Sequence, residues 1–334
     1  MSATQDVAVK TDISTYYIDL VGSCNLRCPS CPIGNSRGVD RPVGVMSEQL
    51  FEDIVTKIRR ESPAVDLLWL FNWTEPVLHP RLPALIEIAR QHGFRVCLSS
   101  NLNAGKNFDQ VMAAEPALWI VSLSGFSQEV YELGHTKGEI DVVKDNMRLL
   151  SELRTRYGKK TDVSISYHCY NDNLGSEYDN MRDFCASLDL ACVPTLAYFY
   201  PLEKLFDYFE GNLNPEDQAL VDRLVVSPAE ASSMALEDPS DDCGLRSSMM
   251  SINCDGSVSL CCTVFDRKYV IAESYLDVPL AELQTRKYQH DTCKSCMSRG
   301  LHDAFAYHPL PAWRERARDN LPGVVVPEEL LKLD

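Results

Sequence analysis

Residues 22–36 read GSCNLRCPSCPIGNS. Cys24, Cys28 and Cys31 fall within eight positions, and Pro29 and Pro32 follow two of them. The apolar run YYIDLV (16–21) comes just before and reads as a strand. The three thiols therefore sit on a loop at a strand end. Working outward, short apolar runs alternate with amphipathic stretches. SEQLFEDIVTKIRR (47–60) reads as a helix capped by Ser47, with Leu50, Phe51, Ile54 and Ile58 on one face. VDLLWLFN, RVCLSS, LWIVSLS, DVSISYH and ACVPTLA supply five more strands, with helical segments between them. Six βα units predict a parallel α/β sheet, doubly wound or curled into part of a (β/α) barrel. In either case the functional loops follow the C-terminal strand ends.

The pattern changes after residue 200. Residues 201–242 are rich in proline and acid and read as a linker or bridging segment. Residues 243–308 carry six cysteines and little apolar sequence, as in a small metal-stapled domain. The expected organisation is an N-terminal tail (1–14), a barrel (15–200), the linker, the stapled domain and a C-terminal tail (309–334).

The chain has a formal net charge of −16, which disfavours nucleic-acid phosphates as partners. No signal-peptide pattern and no apolar run of about 18 residues is seen, so a cytoplasmic protein without membrane contact is expected. Thiols stay reduced there. Thirteen cysteines then point to metal ligation or catalysis rather than disulfides.

A CxxxCxxC loop can wrap one corner of a 4Fe–4S cube and leave one iron open. Zinc completed by a distant cysteine, or an electron-carrier cluster, are the alternatives. The stretch resembles the signature of the radical S-adenosylmethionine enzymes. That resemblance implies a partial (β/α)6 barrel and a 4Fe–4S cluster on Cys24, Cys28 and Cys31. Its open iron would bind S-adenosylmethionine, whose reductive cleavage yields a 5′-deoxyadenosyl radical that abstracts a substrate hydrogen. Ser30 stands where the family has an aromatic residue. FNWTEP (71–76) resembles the family's Gly-Gly-Glu-type motif, so Glu75 would accept from the methionine ammonium; Thr74 replaces a glycine. Otherwise Glu75 reads as a helix-start acid. SSNLN (99–103) places Ser100, Asn101 and Asn103 where the family binds ribose and carboxylate, although serine and asparagine are common turn residues. Ser122 and Ser124 of SLSG resemble a further cofactor-facing strand end. In YELGHTKGEI, His135 or Lys137 replaces the family's arginine.

The later cysteines follow Cys-x12-Gly-x4-Cys, then CxxC: Cys243, Gly256, Cys261, Cys293 and Cys296. This resembles the family's shortened "twitch" auxiliary domain, since the longer SPASM form carries further cysteines. The resemblance implies a second, fully ligated 4Fe–4S cluster on those four thiols, with structural zinc as the alternative. Cys169, Cys254 and Cys262 are candidate hydrogen donors to a substrate radical; buried apolar filler is the bland reading of a free cysteine. Tyr167, His168, Tyr170 and Tyr198 are candidate substrate contacts, or else rim packing.

The expected function is hydrogen abstraction from a small hydroxylated substrate (a sugar, aminocyclitol or nucleoside sugar) in natural-product or antibiotic biosynthesis. Dehydrogenation, an oxidoreductase reaction, ranks first. The alternatives are epimerisation, decarboxylation or radical modification of a ribosomal peptide. A flavodoxin- or ferredoxin-type reductant is the expected electron donor.

Overall fold

The apolar runs become strands of a single sheet. The computed structural model describes residues 9–320; the rest of each expected tail lies outside them. β1 (Thr15–Ile18), β2 (Leu67–Trp69), β3 (Arg95–Ser100), β4 (Leu118–Leu123), β5 (Asp162–Cys169) and β6 (Ala191–Leu196) pair in parallel, each with the next. Helices occupy the crossovers. One of them, Glu48–Glu61, starts where Ser47 Oγ accepts from Leu50 N and buries Phe51, Ile54, Val55 and Ile58.

Side-chain alternation separates two faces. Trp119, Val121, Leu123, Val163, Ile165, Tyr167 and Cys169 are buried in the core. Ser122, Ser164, Ser166 and His168 occupy the alternate positions and are only partly buried. That inner face is hydroxyl-rich: Ser99 bonds Ser122 at 3.0 Å, and Ser166 bonds Thr195 at 3.0 Å.

The C-terminal segment does not stand apart. β7 (Met249–Ile252) lies parallel to the free edge of β1, from Thr15↔Met249 to Ile18↔Ile252. β8 (Val258–Ser259) and β9 (Val270–Ala272) continue the sheet antiparallel. Its order is β6-β5-β4-β3-β2-β1-β7-β8-β9. Gly256, at φ +83°, supplies the left-handed residue in the β7–β8 turn.

Two expectations need correction. Residues 201–242, expected as a linker or bridging segment without regular structure of its own, contain a run of helices, Leu202–Phe209, Pro215–Val221 and Pro228–Glu237. Their polar residues are caps: Asn214 Oδ1 accepts from Asp217 N, and Ser227 forms a capping box with Glu230, with proline next in both cases. The C-terminal tail also packs. The helix Leu310–Asn320 buries Trp313, whose ring meets Tyr307 edge-on at 4.9 Å. Among the described residues, no helix is long and apolar enough to cross a membrane.

Candidate functional site

The three-cysteine loop leaves β1 and is held tightly. A Cβ on Gly34 would lie 2.1 Å from the Cys28 carbonyl oxygen, so the turn after Cys31 admits only glycine. Asn35 Nδ2 donates to Pro29 O (2.9 Å) and to Tyr200 O (2.8 Å), tying the loop to the end of β6. Arg27 N donates to Thr136 O. Asn101 Nδ2 reaches Cys24 Sγ at 3.7 Å, and Cys31 Sγ lies 3.8 Å from Trp73 O. Burial, followed by nearby Glu75, pushes the Cys24 thiol up to about 11; burial also raises Cys31 to about 12 and Cys28 well above its usual value. Such thiols keep their protons until a cationic centre displaces them.

Behind the loop, Asp19 follows β1 directly. Its carboxylate accepts from the backbone N–H groups of Asn72, Trp73 and Thr74 at 3.0–3.2 Å, and from Thr74 Oγ1 at 2.6 Å. The threonine in place of glycine is therefore a hydrogen-bonding anchor for the loop. Asp19 was missed in the sequence, since its partners lie 53 to 55 positions away. Glu75 comes next and is buried. It accepts from Asn101 N (2.8 Å), from Val77 N (3.3 Å) and from the Ser100 side chain. Burial pushes its carboxyl up to about 7 against those bonds. Glu75 also caps the short turn Pro76–Leu78, so the helix-start reading holds alongside the site reading.

A cavity of about 300 Å³ opens between these elements. Cys28, Cys31, Glu75, Ser100 and Asn101 line one part of it; Ser122, His135 and His168 line the wall; Tyr170, Tyr198, Tyr200 and Tyr307 complete it. Among the described lining residues there is one carboxylate, Glu75, and no lysine or arginine. His135 Nδ1 bonds Ser124 Oγ at 2.8 Å, and its ring stacks on Tyr131 at 4.9 Å. Burial, then His168, pushes its pKa down to about 3, so it is a neutral hydrogen-bonding group and not a substitute for a cationic arginine. A Cβ on Gly134 would fall 2.1 Å from Ser124 Oγ, which makes that glycine necessary to the pairing. Lys137 does not line the cavity.

Several candidates lie elsewhere. Ser124 acts on the cavity only through His135. Asn103 stands behind it, donating to Tyr131 Oη (2.6 Å) and accepting from Glu139 N (2.7 Å). Tyr167 and Cys169 do not face the substrate space. They share strand parity, opposite to His168, and point into the packed layer. Tyr167 Oη donates to Asn173 O at 2.6 Å, and its ring meets Tyr178. Cys254 lines a separate small pocket with Asp19, Arg41 and Trp73. Cys262 lines neither the cavity nor the second thiol group. Tyr307, from the far end of the chain, was missed; its hydroxyl donates to Leu196 O at 3.3 Å.

Cys243, Cys261, Cys293 and Cys296 line one mainly apolar pocket with Leu202, Leu245, Leu260, Met297 and Phe305, and with the polar side chains Arg246, Thr263, Thr292 and His302. Cys243 caps the helix Gly244–Ser248, its sulfur accepting from Arg246 N at 3.4 Å. Burial raises Cys243 to about 12 and Cys293 to about 11. Lys287 is buried beside them, and its ammonium donates to Met249 O and Leu245 O. Burial lowers Lys287 to about 8, although the neighbouring thiols oppose that shift. Phe305 joins the two sites: its ring lies 5.2 Å from Tyr198 and 5.3 Å from Tyr200. Among the described residues, no three His, Cys, Asp or Glu side chains stand at single-ion spacing. The fit to iron–sulfur clusters rests on ligand number, enclosure and, for the first group, a cavity beside the thiols.

No family model and no curated protein matches the chain. Solved structures do. An anSMEcpe structure with bound AdoMet aligns over 95% of this chain and 96% of its own, at 16% identity and TM-score 0.54. Streptococcus suis SuiB bound to its precursor peptide SuiA aligns over 82% of this chain, at 14% identity and TM-score 0.53. SuiB bound to S-adenosylmethionine gives 13% and 0.52 over the same share. The chain spans 65% of the SuiB length. At these identities the likeness establishes the fold. The chain has the radical S-adenosylmethionine fold, a partial six-stranded barrel with a C-terminal extension.

Proposed function

We propose that this chain is a radical S-adenosylmethionine enzyme that dehydrogenates a small, hydroxylated substrate without acidic groups. The observation that carries the reading is the cavity bounded by the open thiol loop and by Glu75, Ser100 and Asn101. When bound on Cys24, Cys28 and Cys31, a 4Fe–4S cluster with S-adenosylmethionine supplies a 5′-deoxyadenosyl radical that takes hydrogen from a C–H bond. Glu75 accepts from the methionine ammonium. Ser100, Asn101 and Ser122 offer hydroxyl and amide groups to the cofactor, and neutral His135 offers a hydrogen bond without charge. Asn103 and Ser124 position this set from behind. His168, Tyr170 and Tyr198 face the substrate. The Tyr198 hydroxyl is buried with no hydrogen-bond partner among the described residues, as a ligand contact would leave it. A wall without lysine or arginine disfavours phosphorylated or carboxylate substrates.

Cys243, Cys261, Cys293 and Cys296 would hold a second cluster with no open iron. This suits a reaction in which the substrate gives up one electron with the abstracted hydrogen atom and a second to that cluster, with a proton released to solvent. Epimerisation would need a hydrogen donor on the cavity wall, and Cys169, Cys254 and Cys262 do not line it. A flavodoxin- or ferredoxin-type reductant and a place in natural-product biosynthesis complete the reading. Radical modification of a ribosomal peptide is the second reading, favoured by the fold likeness to SuiB bound to a precursor peptide.

Anaerobic reconstitution tests the proposal. About eight irons per chain and release of 5′-deoxyadenosine on reduction are expected. Deuterium should pass from a labelled sugar or aminocyclitol into 5′-deoxyadenosine, with two-electron oxidation of the product. No 5′-deoxyadenosine from the fully loaded chain would overturn the proposal.

A further inference from the structure

The four-thiol pocket also holds a buried imidazole. His302, on the helix Leu301–Phe305, is 3% exposed and lines the same pocket as Cys243, Cys261, Cys293 and Cys296. Among the described residues, neither of its ring nitrogens has a hydrogen-bond partner. Asp303 Oδ2, 3.3 Å from Nε2, and the Ser240 backbone lie near without the alignment a hydrogen bond needs. Asp303 Oδ2 instead accepts from Ser240 N at 2.8 Å. A buried polar group left unpaired costs about 1–3 kcal/mol, so an imidazole with two idle nitrogens calls for a partner outside the protein.

Of the other polar side chains that line the pocket, Arg246 and Thr263 already have partners, Thr263 Oγ1 bonding Cys261 Sγ at 3.0 Å, and the Thr292 hydroxyl lines it as well. Lys287 donates to backbone carbonyls, and Arg246 donates to Asp242. His290, three positions before Cys293, accepts from Thr292 N through Nδ1 and does not line the pocket. In either protonation state the imidazole ring carries at least one N–H able to donate.

We propose that His302 donates a ring N–H hydrogen bond to the cluster held by Cys243, Cys261, Cys293 and Cys296, and thereby raises its reduction potential. This rests on the reading of that pocket as a second cluster site. Reduction adds negative charge to the cluster, so a donor aimed at it stabilises the reduced state more than the oxidised one. His302 is a positioning and tuning residue; it does not touch substrate.

The test is a redox titration of the full, reconstituted chain followed by electron paramagnetic resonance. His302→Leu should move the second cluster's midpoint to more negative potential and leave the first cluster unmoved. His302→Gln, which keeps an N–H donor, should recover most of the shift. An unchanged midpoint in His302→Leu at full iron content overturns the inference. Should His302→Leu fail to load iron, the unsubstituted chain with 15N-labelled histidine decides. Its reduced second cluster should show coupling to a labelled nitrogen, and no coupling overturns the inference. An unsubstituted chain with only about four irons, or with zinc in the pocket, overturns the second-cluster reading itself, a result separate from these.

Discussion

The loop after β1 and the pocket of Cys243, Cys261, Cys293 and Cys296 use the same ligand in opposite surroundings. The loop offers three thiols and borders a cavity of about 300 Å³ that carries a buried carboxylate, two histidines and several hydroxyls. The pocket offers four thiols and about 20 Å³ of space, walled mainly by leucines, methionine and phenylalanine. One arrangement leaves room and polar contacts for a second molecule beside a metal centre. The other leaves no such room. Ligand number and environment agree in both regions, which is why we propose chemistry for one and electron transfer for the other.

The sharpest way to break this comparison is to remove one thiol from each group. Cys28→Ala should abolish 5′-deoxyadenosine formation, and the chain should keep about four irons in the pocket. Cys296→Ala should lose those irons and still cleave S-adenosylmethionine without completing the oxidation. Iron analysis paired with product chromatography checks both, and identical phenotypes would erase the division of labour.

Glu75→Gln comes next. A lost charge-assisted contact is worth about 1.5–3 kcal/mol, so S-adenosylmethionine should bind about 10- to 100-fold more weakly by calorimetry. The ligand-free fold should respond in the opposite sense. The Glu75 carboxyl sits at about 7 in the folded chain against an ordinary 4.5. Its favourable contribution is complete below the lower value and is lost as pH rises through the higher one. Glu75→Gln should therefore stabilise the empty chain at pH 8, by on the order of 3 kcal/mol in denaturant titrations.

The same carboxyl predicts a pH profile. Protonated Glu75 loses the negative charge that strengthens its bond to an ammonium group. Affinity for S-adenosylmethionine should therefore fall as pH drops below about 7 in the parent chain and level off about 10- to 100-fold lower, and Glu75→Gln should flatten that slope. The smallest effect is expected at the junction of the two regions. Trp73 Nε1 donates to Val264 O at 3.0 Å, joining the loop after β2 to the C-terminal segment. Trp73→Phe should cost about 1 kcal/mol by chemical denaturation and leave both iron contents unchanged.

Much of this was legible in the linear sequence. The thiol spacings, the six alternating strands and the strand-end residues Glu75, Ser100, Asn101 and Ser122 depend on local pattern, and local pattern survives folding. What was hidden depends on parity and distance. In SYHCYND nothing local shows that His168 faces the cavity and that Tyr167 and Cys169 do not; strand phase decides it. Asp19 reads as an ordinary acid until the backbone of Asn72 to Thr74 folds over it. Asn214 and Ser227 look like linker residues because caps and linkers share a composition. Tyr307 and Trp313 reach the barrel only through tertiary packing.

The seam between β1 and β7 carries a cost in time. Ser14 and Ser248, which bond across it, are separated by 234 positions. On a ribosome adding about 5–20 residues per second, one flank of β1 waits roughly 10–50 s for its neighbour to be made. A bare strand flank invites pairing with other nascent chains. The order of synthesis thus leaves the first strand half-paired while most of the chain is made, and yield during expression should depend on how well that flank is shielded in the interval.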